Sequence, residues 1–337
     1  MPSHSLIGGY GFALPPKTIP NSYFTEIAGT ADEWIVLRTG ISERHVLEDG
    51  QTGSDLAAQA SRMALHTCGR EASDITHILY ATCTADSSCP SSACVLAAKL
   101  DIKNIMAVDV NAACSGFINC LELADAITAR SPSARVLLVA AESLFQRCNL
   151  EDRSTSVLFG DGAGVVLVER AKAGEQPSSS LQPKATLVDV QIGSDGSLGN
   201  LLLMNGGFAS VPYKLGATVG PEYFIRMNGG LVFKHAVRHM CASCLELLNR
   251  NGLGVEDVDL FVPHQANLRI IESVGAKLGI AGEKVFLNVQ KYGNTSAASV
   301  PIALGEALLE GRVREGMLVL ITTFGAGLTW GSALLKF

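Results

Sequence analysis

Cys114, His264 and Asn294 are the residues whose types and settings suit covalent chemistry by a thiol. Cys114 sits in the turn A-A-C-S-G at 112–116. Before it, 104–110 reads as a buried strand. After it, 118–126 reads as a helix, apolar nearly all round except at Asn119, Glu122 and Asp125. Small residues let backbones approach closely at such a turn. A sulfur placed there faces the unpaired N–H groups and positive dipole end of the helix, which favour a thiolate. Most free cysteines are small buried hydrophobes and nothing more, so Cys114 needs partners. His264 closes an apolar run at 257–263, and Asn294 follows Gly293 in a second turn. In parallel α/β sheets ligands gather beyond the carboxyl ends of strands. A cysteine, a histidine and an asparagine aimed at one pocket from strand ends form the constellation a nucleophilic thiol requires.

The elements that must position them alternate between strand and helix. Strands are expected at 6–12, 75–82 and 134–140. Helices are expected at 21–36, at 54–68 with Ser54 as cap, and at 91–100. Segments 157–159 and 165–168 read as two strands joined by the glycine turn 160–164, and the polar stretch 169–184 as a linker. The pattern then starts again. Residues 74–80 are echoed at 257–263, 108–110 at 287–289, 136–139 at 317–320, and Phe159-Gly160 at Phe324-Gly325. A repeated α/β unit implies two halves, 1–170 carrying the cysteine and 185–337 carrying the histidine and asparagine. Mostly parallel sheets covered by helices would give an α/β/α/β/α body.

Composition narrows the classes. Charged residues make up 17% of the 337 and hydrophobic ones 47%, as in a well-packed globular protein. A net charge of -6 disfavours nucleic acid or membrane as partner, while leaving room for a local basic patch. Residues 1–16 show no charged segment followed by an apolar run, and no stretch approaches a membrane span, so a cytoplasmic location is expected. Nine irregularly spaced cysteines fit reduced thiols there.

Five motifs in order make the chain similar to the β-ketoacyl-acyl-carrier-protein synthase III family, condensing enzymes of the thiolase-type fold. They are D-E-W-I-V-L-R-T-G-I at 32–41, D-V-N-A-A-C-S-G-F at 109–117, P-H-Q-A-N-L-R-I at 263–270, Y-G-N-T-S-A-A-S-V-P at 292–301 and F-G-A-G-L-T-W-G-S-A-L at 324–334. The resemblance covers essentially the whole chain. It implies the five-layer fold with two pseudo-duplicated halves, and a ping-pong reaction. An acyl-CoA primer acylates Cys114, with the backbone N–H groups of Cys114 and Ala326 holding the oxyanion. Malonyl-acyl carrier protein then loses CO2, and the carbanion attacks the thioester. His264 and Asn294 would stabilise the enolate as neutral donors, so no metal or cofactor is expected.

The resemblance further implies that Trp34 and Arg153 stack on the adenine of coenzyme A. Arg38 would lie at its phosphates and Asn267 at the pantetheine arm. Arg269, with Lys234 and Arg238, would offer a basic patch to the acyl carrier protein. For Trp34 the competing account is helix packing, and for the cations a solvated surface. Members are homodimers in which the residue matching Cys89 crosses the interface and is often a phenylalanine closing the acyl pocket. A cysteine there predicts a deeper pocket and longer primers.

Other signals are set aside. His235, His239, Cys241 and Cys244 share a predicted helix but not one azimuth, so zinc is not expected. G-D-G-A-G at 160–164 precedes a strand, not the helix a phosphate loop needs, and Ser194-Asp195-Gly196 lacks the acidic series of a calcium loop. Four rival functions remain: a thiolase, disfavoured because no cysteine follows Cys244; a type III polyketide synthase extending repeatedly; an acyltransferase to hydroxyl or amine without condensation; and a non-catalytic subunit, which usually lacks the nucleophile.

Overall fold

The computed structural model describes residues 5–170 and 183–337. In chain order the first half holds β1 (Ser5–Ala13), β2 (Lys17–Pro20), α1 (Tyr23–Ala28), α2 (Asp32–Thr39), β3 (Glu43–Val46), α3 (Gly53–Cys68), β4 (His77–Ala81), α4 (Ser92–Lys99), β5 (Met106–Val110), α5 (Gly116–Arg130), β6 (Arg135–Ser143) and β7 (Asp161–Arg170). The second holds β8 (Ala185–Ser194), β9 (Leu202–Leu203), β10 (Arg226–Met227), α6 (Gly229–Arg250), β11 (Leu260–Pro263), α7 (Leu268–Leu278), α8 (Val289–Tyr292), α9 (Ser299–Leu309), β12 (Leu318–Gly325) and β13 (Thr329–Lys336). The strands run β11-β12-β13-β8-β1-β7-β6-β4-β5. Among the described residues the two half-sheets meet where Leu6 and Ile7 of β1 pair with Thr186 and Ala185 of β8.

Alternation along the strands sorts side chains between layers. Val136, Leu138 and Ala140 of β6, with Val319 and Ile321 of β12, face inward onto α5 and α9. Leu137 and Val139 face α3 and α4, while Leu318 and Leu320 face α6 and α7. The stacking is therefore helix, sheet, helix pair, sheet, helix. Ten of the eleven residues of α9 are buried, and only Ser299 and Glu306 among them are polar, as suits a helix between two sheets. Each large aliphatic side chain buried there contributes about 1.5–3 kcal/mol relative to exposure.

The repeat is regular at a spacing of 183 residues. The 3₁₀ turns begin at 72 and 255, the strands at 77 and 260, the strand-to-helix turns at 113 and 296, and the next strands at 135 and 318. Several sequence expectations change. The sheets are mixed rather than mostly parallel: β1, β7, β8 and β13 pair only antiparallel, and parallel pairing is confined to β5-β4-β6 and β11-β12. The helix expected at 21–36 is two helices, because Gly29 closes α1 in the left-handed conformation, φ 58°. The cap of α3 is Thr52, not Ser54. The Asp55 carboxylate accepts from the Thr52 N–H at 3.0 Å and from its hydroxyl at 2.9 Å. The glycines of 160–164 make no turn between strands. Gly162 and Gly164 lie inside β7, where a Cβ on Gly164 would come within 2.7 Å of Pro301 of α9.

Strand 104–110 is not fully buried, because β5 is the sheet edge. Its echo at 287–289 forms no strand. Asn288 leads into the one-turn α8, and only an isolated bridge between Phe261 and Val285 remains nearby. Phe324-Gly325 ends β12, so its counterpart is Ala141-Glu142 at the end of β6 rather than Phe159-Gly160. Of the expected linker 169–184, residues 171–182 lie outside the described residues.

Candidate active site

Two equivalent turns build the site. Ala113, at φ 46°, tips the chain out of β5 so that Cys114 opens the way into α5. Ser296, at φ 52°, does the same before α9. Gly325 stands against the first turn, and a Cβ on it would lie 2.8 Å from the Cys114 nitrogen. Only glycine lets the 325–327 backbone come this close to the sulfur-bearing residue. The next residue, Ala326, is outside the left-handed region, so its methyl group costs nothing there.

Cys114 is shared by two cavities. One, of about 550 Å³, is also lined by His264, Asn294 and Phe324 inside and by Trp34, Arg38, Arg153, Asn267 and Arg269 towards solvent. The other, of about 390 Å³, is lined by Cys83, Leu144, Phe159, Ile225, Ser296 and Ala326 among others.

His264 follows β11 and is buried, with its N–H on Thr322 O at 2.8 Å. Its Nδ1 lies 2.6 Å from Ser299 Oγ, which also takes the Gln265 N–H at 3.4 Å. We assign the Ser299 proton to Nδ1, which leaves the imidazole proton on Nε2, facing the cavity. Burial holds the pKa of His264 down to about 3, so the ring is neutral. Asn294 is placed by its backbone, whose N–H donates to Leu158 O at 2.8 Å and whose carbonyl accepts from Gly160 at 3.2 Å. Its Oδ1 accepts the Ser296 N–H at 2.9 Å, leaving the Nδ2 protons to donate. The site therefore offers two neutral donors beside a sulfur.

The sulfur is a thiol at rest. Burial pushes Cys114 up to about 12, against the Ser296 hydroxyl and the backbone N–H, which favour the anion. The thiolate expected from the helix terminus is thus not the resting form, because desolvation outweighs the donors. Two participants were not read from the sequence. Ser296 Oγ lies 3.4 Å from Cys114 Sγ and 3.0 Å from Glu142 Oε1. Their available signals were the hydroxyl of N-T-S at 294–296 and one carboxylate inside the apolar run 135–143.

At the solvent end the Trp34 ring is flanked by the guanidinium groups of Arg153, at 4.9 Å, and Arg38, at 5.3 Å. Asn267 donates to Arg38 O at 3.2 Å and caps α7 by accepting the Arg269 N–H at 2.9 Å. Arg269 lies over Phe233. Lys234 and Arg238 are exposed one turn apart on α6 and line neither cavity. Cys89 is exposed in the loop before α4 and also lines neither cavity of this chain. His235 and His239 stack at 5.8 Å, with His239 on Trp330 at 4.1 Å. Cys241 and Cys244 are buried against Val274 and Ser332.

A buried thiol with a histidine and an asparagine donor, set between two repeated α/β halves, defines a thiolase-fold condensing enzyme. Family models agree in both halves: 3-oxoacyl-[acyl-carrier-protein] synthase III over 108–196 and its C-terminal counterpart over 248–337. A β-ketoacyl-[acyl-carrier-protein] synthase III from Nitratidesulfovibrio vulgaris is 55% identical across all of both chains. The crystal structure of 3-oxoacyl-[acyl-carrier-protein] synthase III from Aquifex aeolicus is 42% identical, with TM-score 0.88 over 99% of this chain and 100% of that one. The Thermus thermophilus enzyme is 38% identical, with TM-score 0.88 over 98% of each. The chain belongs to the β-ketoacyl-acyl-carrier-protein synthase III family of condensing acyltransferases, whose reaction initiates fatty-acid synthesis.

Proposed function

We propose that Cys114 takes an acyl group from acyl-CoA and delivers it to the carbanion of decarboxylated malonyl-acyl carrier protein, releasing a 3-ketoacyl carrier protein. One observation carries this mechanism. Cys114, His264 and Asn294 line one cavity, and Cys114 alone of the three also lines the second. The thioester arm of either substrate enters the first cavity, and the acyl chain of the primer lies in the second. Backbone N–H groups of Cys114 and Ala326 hold the tetrahedral oxyanion during acylation. The Nε2–H of His264 and the Nδ2–H of Asn294 hold the enolate oxygen during decarboxylation. Neither donor changes charge, so the dry cavity carries one negative charge at a time, on the reacting oxygen.

The Trp34 ring with Arg153 and Arg38 offers a stacking surface and two cations to the adenine and phosphates of coenzyme A. Asn267 reaches the pantetheine arm. Arg269, Lys234 and Arg238 form the basic patch for the acidic carrier protein and act mainly on association rate. Acyl-CoA and acyl carrier protein are the partners the family implies. A homodimer belongs to the proposal as well. β5 ends the sheet with Met106 exposed, and the exposed Cys89 lies in the loop after β4, the strand paired with it. In a dimer Cys89 would close the partner's acyl cavity, and its small side chain leaves room for primers longer than acetyl. Halves 1–170 and 185–337 are read as repeats packed into this one site. No helix among the described residues is long and apolar enough to cross a membrane, and the proposed location is the cytoplasm.

Intact-protein mass spectrometry tests the proposal. The protein is incubated with acyl-CoA of graded length, then with malonyl-acyl carrier protein. An adduct that is lost in Cys114→Ala and is discharged as 3-ketoacyl carrier protein is expected. An adduct that leaves only to a hydroxyl or amine would replace condensation by simple acyl transfer. Turnover of acetyl-CoA with none of octanoyl-CoA would sink the long-primer expectation.

A further inference from the structure

With its proton assigned to Nε2, His264 offers the cavity a donor, as Asn294 does through Nδ2, so neither is placed to take the Cys114 proton. The thiol must still lose that proton before it can become a thioester. On its other side Cys114 is hydrogen-bonded to a group that can take it. Ser296 Oγ lies 3.4 Å from Sγ and 3.0 Å from Glu142 Oε1, and the hydroxyl has one proton to share between these two acceptors. Glu142 is fully buried at the end of β6. Its Oε2 accepts from the Thr84 hydroxyl at 2.6 Å, the Cys83 N–H at 3.1 Å and the Thr82 hydroxyl at 3.2 Å. Cys83 Sγ lies 3.3 Å from Oε1. Burial raises the pKa of Glu142, against the hydrogen bonds from Thr84, Cys83 and Ser296, which favour the anion, and among the described residues no cation pairs with it. The nearby titratable groups are Cys83, Cys114, Tyr80 and Asp161. Asp161 is committed to the N–H groups of Leu47 and Phe145 and has no hydrogen bond to Cys114.

We propose that Cys114, Ser296 and Glu142 form a buried proton relay for both half-reactions. As Sγ attacks the primer thioester, its proton moves to Ser296 Oγ while the Ser296 proton moves to Glu142 Oε1. The S–acyl bond forms, and coenzyme A departs as a thiolate that takes a proton from solvent. In condensation the new C–C bond displaces Cys114 as a thiolate, which recovers its proton from Glu142 through Ser296. Over one cycle the relay is unchanged, and the single proton consumed ends on coenzyme A. Ser296 touches the reacting sulfur. Glu142 acts only through it, as the positioning residue that holds the proton. The relay deepens the acyl-enzyme mechanism above and rests on it.

Glu142→Gln and Ser296→Ala are compared with the wild-type enzyme by rapid-quench acylation with acyl-CoA and by iodoacetamide alkylation of Cys114, both across pH 5–9. Either variant should slow acylation at neutral pH by about 10²-fold, the usual scale of general acid–base assistance. The double variant should be no slower than the singles. The wild-type rate should fall on the acid side as Glu142 takes up a proton, and Glu142→Gln should flatten that limb. Alkylation separates the relay from a plain charge effect. Loss of a proton acceptor slows it in Glu142→Gln, whereas removal of a neighbouring negative charge alone would speed it. Faster alkylation, or an unchanged acylation profile in a folded Glu142→Gln protein, overturns the relay. If Glu142→Gln fails to fold, Ser296→Ala decides by the same profiles, since it cuts the path and leaves Glu142 in place. Alkylation needs no substrate. A wild-type protein that alkylates as described yet accepts no acyl group would sink the acyl-enzyme mechanism and not the proton path.

Discussion

The two halves carry the same turn with different contents. At 111–116 the chain reads N-A-A-C-S-G, and 183 residues later, at 294–299, N-T-S-A-A-S. In both, an asparagine Oδ1 accepts the N–H two residues on, from Ala113 at 3.3 Å and from Ser296 at 2.9 Å. In both, the residue at that N–H has positive φ, and a helix between the two sheets follows. Yet Asn111 is exposed while Asn294 is buried. The nucleophile of the first turn faces Ala297 as its counterpart, and the positive-φ residue of the second is a serine that touches the first turn's sulfur. The backbone module is one solution used twice, and chemistry was divided between the copies by a few side chains and by what covers them. In the proposed mechanism the first half holds the acyl group and the second supplies the donors that stabilise charge on the incoming partner.

The sharpest break of that division is Cys114→Ala, which should abolish the acyl-enzyme and lower turnover by about 10⁴-fold or more. Adding Ala297→Cys to it should restore nothing, because Gly325, where a Cβ would lie 2.8 Å from the Cys114 nitrogen, packs against the first turn. Rescue in the double variant, read as an acyl adduct by mass spectrometry, would erase the distinction between the halves. Next in size, His264→Ala or Asn294→Ala should cost condensation about 10²–10³-fold while leaving Cys114 acylation within a few-fold of wild type. Equal loss in both steps would mean that the second half also serves acylation.

Acid sensitivity should trace to the second half. His264 is held down to about 3 in the fold, against about 6.5 when unfolded. Between those values the unfolded chain binds a proton that the folded one refuses, so stability falls as pH drops below 6.5. The slope is up to about 1.4 kcal/mol per pH unit, and there is no effect above that window. Glu142 and Asp161 are shifted upward and act with the opposite sign. They are common to wild type and His264→Gln, so the difference between urea midpoints at pH 5 and pH 7 isolates the histidine. A variant as acid-sensitive as the wild type would place the titration elsewhere.

Smaller effects belong to the surface. Arg269→Glu should lower kcat/KM for the carrier protein several-fold at low salt, and the difference should vanish near 1 M salt, where the screening length is about 3 Å. A salt-independent loss would make Arg269 a structural partner of Phe233 instead. Smallest is Thr52→Ala at the start of α3, expected to cost about 1 kcal/mol and to leave activity unchanged. It sharpens the comparison by showing that caps far from the paired turns affect only stability.

Much of the division was written along the chain. Element types followed from periodicity, the repeat from paired segments, and the cysteine, histidine and asparagine from five motifs in order. Boundaries failed where one residue carried the decision. Gly29 split a helix that its neighbours' pattern continued, and Gly162 and Gly164 looked like a turn although they clear space inside a strand for Pro301 and Ile302 of α9. The missing third strand of the second half was hidden because 287–289 keeps the apolar pattern of 108–110 without pairing. Local propensity and spacing were thus enough for the layered α/β architecture though not for the strand directions, and the motifs for the candidate reacting atoms of Cys114, His264 and Asn294. The protonation of those atoms was decided only when 82–84, 142 and 296 met behind Cys114 and when Ser299 met His264. A proton's position depends on desolvation and on which donor lies within about 3 Å, and both are properties of segments that become neighbours only in the folded chain.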